Sequence, residues 1–491
     1  MNGAANSPVW KLSIYENWLI AFFLLSVPLI NPWIRGDGVG YYAFARSLLI
    51  EHRLDFTQDW LHANSSFQMG RLDTAGNIPS EQYTATGHLD NHFSIGPALL
   101  WLPALFATHE GVVAYDRLGG HVAADGFSRP YVVTMGLATA IYGFLALWLA
   151  FRLARKFVPE RWAFLATAGI WLASSLPVYM YLNPSWSHAQ SAFVVALFLW
   201  YWDATREARS EKHGLIPWLT LGCIGGLMMD VYYLNVALLV FPAGDLVTLV
   251  LAEPAAREMR GSVRGILAPG AVFGAALFVA FLPTLIAKKI VYGSFFNFGY
   301  VEHWYWNSPA LLKACFSSEH GLFSWTPLLI FAVAGLFLLR RYDRRMAICS
   351  MVAFVAFLYM LGCYQDWHGI SSFGSRFFVS LTPLFVLGLA AFFETVASHL
   401  PARESTAVLA GFIAVFVLWN AGMIFQWGTH LIPARGPISW KSAAYNQVAI
   451  VPAKAEGVMK SYLTRRNELM NRIEQEDVEQ LKLDPSAGRK Q

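Results

Sequence analysis

Charge is scarce in this sequence. Charged residues make up 14% of the 491-residue chain, against roughly 25% in soluble globular proteins. With 56% hydrophobic residues, that scarcity excludes an ordinary soluble domain. A net charge of +4 does not point to nucleic acid. The four cysteines, Cys223, Cys315, Cys349 and Cys363, show no C-x-x-C spacing, which argues against a thiolate metal cluster. Of these, Cys315 and Cys363 fall near expected outer helix ends, where a disulfide is open to them. There is no D-x-D triplet, so no obvious metal–nucleotide-sugar site. The stretch "WIRGDGVGYY" has glycines at 36, 38 and 40, but a dinucleotide loop needs a preceding strand and a glycine where Tyr41 stands.

Long apolar runs are what the sequence does have. Runs of ~20 apolar residues predict an all-α polytopic membrane protein. The expected spans are 17–34, 130–151, 162–182, 189–201, 216–229, 234–251, 265–287, 322–339, 346–363, 377–393 and 407–427. The run 93–112 is also apolar and sets the parity of all that follows. If it does not cross, Arg152, Arg155, Lys156, Arg161, Arg206, Arg209, Lys212, Arg257, Arg260, Arg264, Arg340, Arg341, Arg344, Arg345 and Arg403 all fall inside. The short outer loops then keep only Lys288, Lys289 and Lys313. Inner loops of membrane proteins are the Lys/Arg-rich ones, so 93–112 is read as a helix at the outer interface. About eleven spanning helices follow, with an inner N-terminal segment (1–16), a transmembrane domain (17–427) and an outer tail (428–491). Outer loops cover 35–129 and 288–321. The tail segment 453–483 carries Val458, Tyr462, Met470, Ile473 and Leu481 at near-helical spacing and predicts a helix resting on the outer face.

Within the first outer loop, Tyr41, Phe44, Ala45, Leu48 and Leu49 share one helical face, which predicts an interfacial helix. Asp37 stands where the first membrane helix hands over to it. An ionised Asp at the bilayer centre costs about 2.5–3.5 kcal/mol, so the boundary is the tolerable place. Capping of the interfacial helix is the plain structural alternative.

This arrangement resembles the GT-C superfamily of glycosyltransferases that use polyprenyl-phosphate sugars, among them protein O-mannosyltransferases and lipid A aminoarabinose transferases. The resemblance covers roughly 17–427 and rests on several local patterns in order: "RGDGVGYYAFARSL", "NHFSIGPALLWLPALF", "LARKF…RWAFLATAGIWLASSLPVYMY", "SSEHGLFSWTPLL" and "GSRFFVSLTPLFVLGLA". Three departures stand out. Gly38 follows Asp37 where mannosyltransferases have Glu, His188 stands roughly where many relatives have Asp, and "MMDVYYLN" lacks a basic residue. The resemblance implies a GT-C-like bundle with a large first outer loop, in the inner membrane, its site facing the periplasm or exterior. It also implies a catalytic carboxylate at Asp37, a polyprenyl-phosphate sugar donor, and a lipid, polysaccharide, lipopolysaccharide or protein hydroxyl as acceptor.

The chemistry needs few groups. An acceptor hydroxyl must lose a proton to a base within hydrogen-bond reach. The leaving phosphate, whose monoester has a second pKa near 6, needs donors rather than a strong acid. Asp37 is the expected base. Arg376, at the outer start of a membrane helix, is the expected phosphate clamp, with snorkelling as the plain alternative. His188 is placed with the phosphate. Tyr41, Tyr42, Glu302, Glu319, His320, Asp366, Trp367 and His368 are the expected sugar or acceptor contacts. No cofactor is certain, and a divalent metal stays open. A transporter or flippase of lipid-linked sugars, or a non-catalytic envelope scaffold, remains the alternative. The first would put ionisable groups near the midplane, whereas here they lie mainly in loops.

Overall fold

The computed structural model describes residues 12–210, 214–251, 263–300 and 303–483. It is all helical, with only isolated bridges and no strand among the described residues. In chain order the main helices are α1 (Ile14–Ser26), α2 (Asp37–Arg46), α3 (Gly96–Arg117), α4 (Arg129–Ala154), α5 (Glu160–Leu172), α6 (His188–Ala204), α7 (Leu215–Val231) and α8 (Val240–Leu251). They continue as α9 (Val263–Tyr292), α10 (Leu328–Leu338), α11 (Arg344–Cys363), α12 (Thr382–Ala397), α13 (Ser405–Gly428), α14 (Val451–Thr464) and α15 (Arg466–Leu483).

Six helices among the described residues are long and apolar enough to cross a membrane: 96–117, 129–154, 267–292, 344–363, 376–397 and 405–428. Five of these match expected spans; the sixth, 96–117, is the run expected to lie at the interface, and by length and composition it too could cross. The remaining expected spans are shorter or broken. The run 162–182 ends as an α-helix at Leu172 and resumes as a wide π turn at Val178–Leu182. Pro177 cannot donate to a continuing ladder. The run 234–251 opens as a 3-10 helix before α8. The protein is therefore a multi-pass membrane protein by its apolar helices, built from long helices and interrupted ones.

Helix α12, continued upstream by the 3-10 turn Arg376–Leu381, is the most enclosed of the long ones and packs against α4, α5, α6 and α10. Ser13 opens α1 with a capping box, its Oγ accepting from Glu16 N while Glu16 returns a bond to Ser13 N. Glu16 also pairs with Arg152 and Arg155. Lys156 pairs with Asp203, Arg206 with Asp343, and Arg209 and Arg345 with Asp245. The guanidiniums of Arg206, Arg209 and Arg345 ring Trp202 at 4.9–5.7 Å. Six of the expected inner cations thus gather at one end of the bundle. Lys212, Arg257 and Arg260 lie outside the described residues. His188 starts α6 and Asp203 ends it, so that ionic end lies about 25 Å from the His188 end.

Helix α3 runs antiparallel to α4. Tyr142 Oη donates to Leu100 O at 2.8 Å, Trp101 Nε1 donates to Thr139 Oγ1 at 2.9 Å, and the His109 ring lies 2.7 Å from Tyr131 Oη. The pairing sets α3 beside only the first half of α4, about 16 Å of its length. The last turns of α3 overshoot α4's start.

All four cysteines are free. The Cys315–Cys363 disulfide that the sequence left open does not form, and both thiols are buried. The tail segment expected as one helix folds as two, α14 and α15, broken at Arg465. Its apolar positions Tyr462, Leu469 and Ile473 form a small cluster with Leu182, Val458 and Met470.

Candidate active site

The turn that delivers Asp37 is shaped by two glycines. Gly36 has φ +54°, a region costly to side-chain-bearing residues, and it reverses the chain into α2. Gly38 lies against Ser185, and a Cβ there would stand 1.9 Å from Ser185 Oγ. The alternation of glycines in this loop thus serves chain reversal and close packing. Asp37 is the first residue of α2, where the helix dipole favours a carboxylate.

Arg376 arrives from the opposite side of the chain, at the head of α12. Its Nη1 lies 2.7 Å from Asp37 Oδ2. The guanidinium lies 4.5 Å from the Trp186 ring centroid and 5.3 Å from that of Phe377. Its Nε is buried without a hydrogen-bond partner. Arg376 is 9% exposed, while the Asp37 side chain keeps 31%. The pair stands in a cavity of about 1200 Å³, enclosed enough for electrostatic interactions to exceed their strength in water.

The cavity wall carries aromatic and polar side chains, among them Tyr41, Trp186, His188, Tyr232, Tyr300 and Asp366, together with apolar ones such as Leu172, Pro177, Val417, Phe425, Val451 and Val458. Burial pushes the Tyr41 hydroxyl up and the charge of Asp37 pushes it further, so it stays a neutral donor. Burial pushes His92, also on the wall, down to about 3, helped by Lys288 and Arg71. Lys288 Nζ donates to the carbonyls of His92 and Phe93 at 2.9 and 3.0 Å, which holds this loop against α9.

The expected site residues divide. Asp37, Arg376, His188, Tyr41 and Asp366 line the cavity together. His188 Nδ1 is buried without a partner, and its ring sits among Tyr179, Trp186, Tyr232 and Phe377. Tyr42 does not reach the cavity. It is buried on the far side of α2, where its hydroxyl donates to Gly126 O at 2.6 Å. His320 is also withdrawn, because its Nδ1 donates to His368 O at 2.8 Å. Burial lowers its pKa to about 4. Glu319, Trp367 and His368 line a separate cleft of about 640 Å³ with Lys313 and Phe316, where Glu319 Oε1 lies 3.5 Å from His368 Nδ1. Glu302 lies outside the described residues.

The sequence reading missed Trp186, Arg35, Arg71, His430 and Asp477, all on the cavity wall. For Trp186 a signal existed in "NPSWSH", two residues before His188. For Asp477 there was none, since it sits in a charged tail helix. Among the described residues no three His, Cys, Asp or Glu side chains converge as a metal set would. The cation facing Asp37 is a guanidinium.

No protein-family model and no curated protein sequence matches this one. Solved structures do. An oligosaccharyltransferase from Archaeoglobus fulgidus aligns at TM-score 0.47 and 14% identity, over 86% of this chain and 56% of its own. ArnT from Cupriavidus metallidurans, solved with undecaprenyl phosphate, aligns at TM-score 0.43 and 13% identity, over 84% of this chain and 71% of its own. The chain thus spans little more than half the length of the oligosaccharyltransferase. A likeness of this depth assigns no activity, and the chemistry rests on the site itself.

Proposed function

We propose that the protein is an integral-membrane glycosyltransferase. It moves a sugar from a polyprenyl-phosphate carrier to the hydroxyl of a lipid, glycan or protein acceptor. The observation that carries this reading is the Asp37–Arg376 pair at 2.7 Å, set in a cavity walled by polar and aromatic side chains and by apolar ones. A lipid-phosphate sugar combines the matching chemistries: polar sugar, anionic phosphate, apolar chain.

The buried, partnerless Nε of Arg376 costs about 1–3 kcal/mol, which a phosphate oxygen would recover. The guanidinium fork suits phosphate, and its stacking on Trp186 keeps the plane fixed. Arrival of the donor phosphate beside Arg376 shifts its charge compensation from Asp37 to the donor and leaves the carboxylate open to the acceptor. The acceptor hydroxyl oxygen then bonds to the anomeric carbon, and the carbon–phosphate oxygen bond breaks. The electron pair leaves on the carrier phosphate against Arg376, and the proton passes to Asp37. One base and one displacement give inversion at the anomeric carbon. Tyr41, His188 and Asp366 are placed to hold sugar hydroxyls or phosphate oxygens.

In the membrane arrangement that fits this reading, α3 does not cross, eleven segments do, and the cavity opens to the periplasmic or exterior side. The stagger of α3 on α4 and the cations gathered at the far end of the bundle support it. The test is nanodisc-held protein given radiolabelled polyprenyl-phosphate sugars and a membrane extract as acceptor source. Labelled product without a sealed compartment is expected. Movement of labelled lipid in sealed vesicles with no donor consumed would make the protein a flippase instead.

A further inference from the structure

Helices α14 and α15 form part of the cavity wall. Val451, Val458 and Met459 of α14, with Met470, Ile473 and Asp477 of α15, all face it. Their polar bonds converge on the connection between α1 and α2. Tyr462 Oη donates to Leu29 O at 2.8 Å, and Arg466 donates to the carbonyls of Pro28 and Ile30. Asn31 Nδ2 lies 3.3 Å from Met470 Sδ. Further along α15, Glu474 accepts from Asn64 Nδ2 at 2.8 Å and Ser66 N at 2.6 Å.

At the end of this seam Asp477 pairs with Arg35, two residues before Asp37. The Arg35 carbonyl is itself held by Trp186 Nε1 at 2.9 Å and Gly38 N at 3.0 Å. Only Gly36, at its positive φ, separates Arg35 from Asp37. Trp186 is also the ring under the Arg376 guanidinium. A shift of Arg35 therefore reaches both members of the ion pair. We propose that α14 and α15 are a latched roof over the substrate cavity, and that Asp477, acting through Arg35, is a positioning residue for Asp37.

The latch has a titratable arm. His430 bonds Asp477 Oδ1 at 3.0 Å and Glu476 Oε2 at 2.8 Å. Arg472 stands 4.0 Å from Glu476 on the same helix, Arg35 faces Asp477 from the α1–α2 connection, and Arg435 follows His430 on the cavity wall. Burial alone would lower His430, but the bonds and charges of Asp477 and Glu476 outweigh it and raise the group above its ordinary 6.5. A raised histidine stabilises fully below its unfolded value, and that contribution is lost as pH rises through the raised one. Burial alone would raise Asp477, but His430 and Arg35 outweigh it and hold it below its ordinary 3.8. Its contribution is present above that value and is lost in acid.

The experiment compares the full chain in nanodiscs with Asp477→Asn and Asp477→Glu, by hydrogen exchange and by donor kinetics. The kinetic half rests on the transferase reading; the exchange half does not. Asp477→Asn is expected to speed exchange of α15 and of the 38–41 amides by roughly tenfold. It should lower kcat roughly tenfold to a hundredfold, the scale of a misplaced reacting group, with donor KM changed less than about twofold. Asp477→Glu should restore most of both. Exchange at 38–41, or kcat, equal to wild type in Asp477→Asn would overturn the positioning role even if α15 loosens. Should the Asn variant not fold, wild-type protein alone decides. Intrinsic-rate-corrected exchange of α15 and 38–41 must rise together above pH 6.5, and a rise confined to α15, or none, rejects the latch. Wild type that transfers no sugar but shows the coupled exchange would sink the transferase reading and leave the latch standing.

Discussion

Asp37 and Arg376 face each other directly, so each is the other's counter-charge. Asp37→Asn keeps size and hydrogen bonding and removes most basicity. Membrane insertion should be unchanged, while transfer falls roughly 10²–10⁴-fold. A purified Asn variant with near-normal turnover would return Asp37 to a helix-capping role. Arg376→Lys keeps the charge but loses the fork and the stacking on Trp186. Its activity should lie between wild type and Arg376→Ala, with donor KM raised and kcat lowered together in both variants. If Arg376→Ala matches wild type in both constants, the phosphate is held elsewhere, and His188, with its unpartnered Nδ1, is next to test. The neighbouring tyrosines show why residue-level inference from sequence is partial. Tyr41 and Tyr42 lie about 100° apart on one helix, so one turns to the cavity and the other to Gly126. No local pattern says which.

Helix α2 is fixed from behind by a second, wholly buried ion pair. Arg46 donates Nε and Nη2 to the two Asp59 oxygens, each at 2.9 Å, and Nη1 to Glu51 at 3.1 Å. Burial works against the Arg46 charge, but Asp59 and Glu51 outweigh it and hold the guanidinium protonated. Asp59→Ala leaves that cation buried and unforked, which costs about 3–5 kcal/mol for a buried pair. The midpoint of thermal unfolding should drop, and protease cleavage within 47–65 should quicken. A variant as stable as wild type would show that Arg46 finds water instead. Glu51 belongs to this anchor.

The whole molecule has an ionic end and a cavity end, joined by α6 and α12. Cysteines introduced near Arg155, Arg209 and Arg344 in a cysteine-free background should react only with membrane-permeant reagents. Those near Asp73 and Asn307 should react with impermeant ones. Labelling of position 155 from the cavity side would mean that α3 crosses, and the arrangement proposed for the site would fall. The apolar runs, the loop asymmetry of Lys and Arg, and the boundary position of Asp37 were legible in the residues because they are local: hydrophobicity, charge and helix period act within a few turns. Helix interruption at Pro177 was legible in principle, yet the run 162–182 reads as one apolar segment until its packing is seen. The pairing of Asp37 with Arg376, the stacking on Trp186, the withdrawal of His320 and the roof of α14 and α15 depend on contacts between residues from tens to hundreds of positions apart. Sequence alone determined a polytopic helical protein with a carboxylate and an arginine each expected at the outer end of a different membrane helix. Only the tertiary structure decided that the two meet in one cavity, because long-range packing of α12 against α4, α5 and α6 sets where Arg376 emerges.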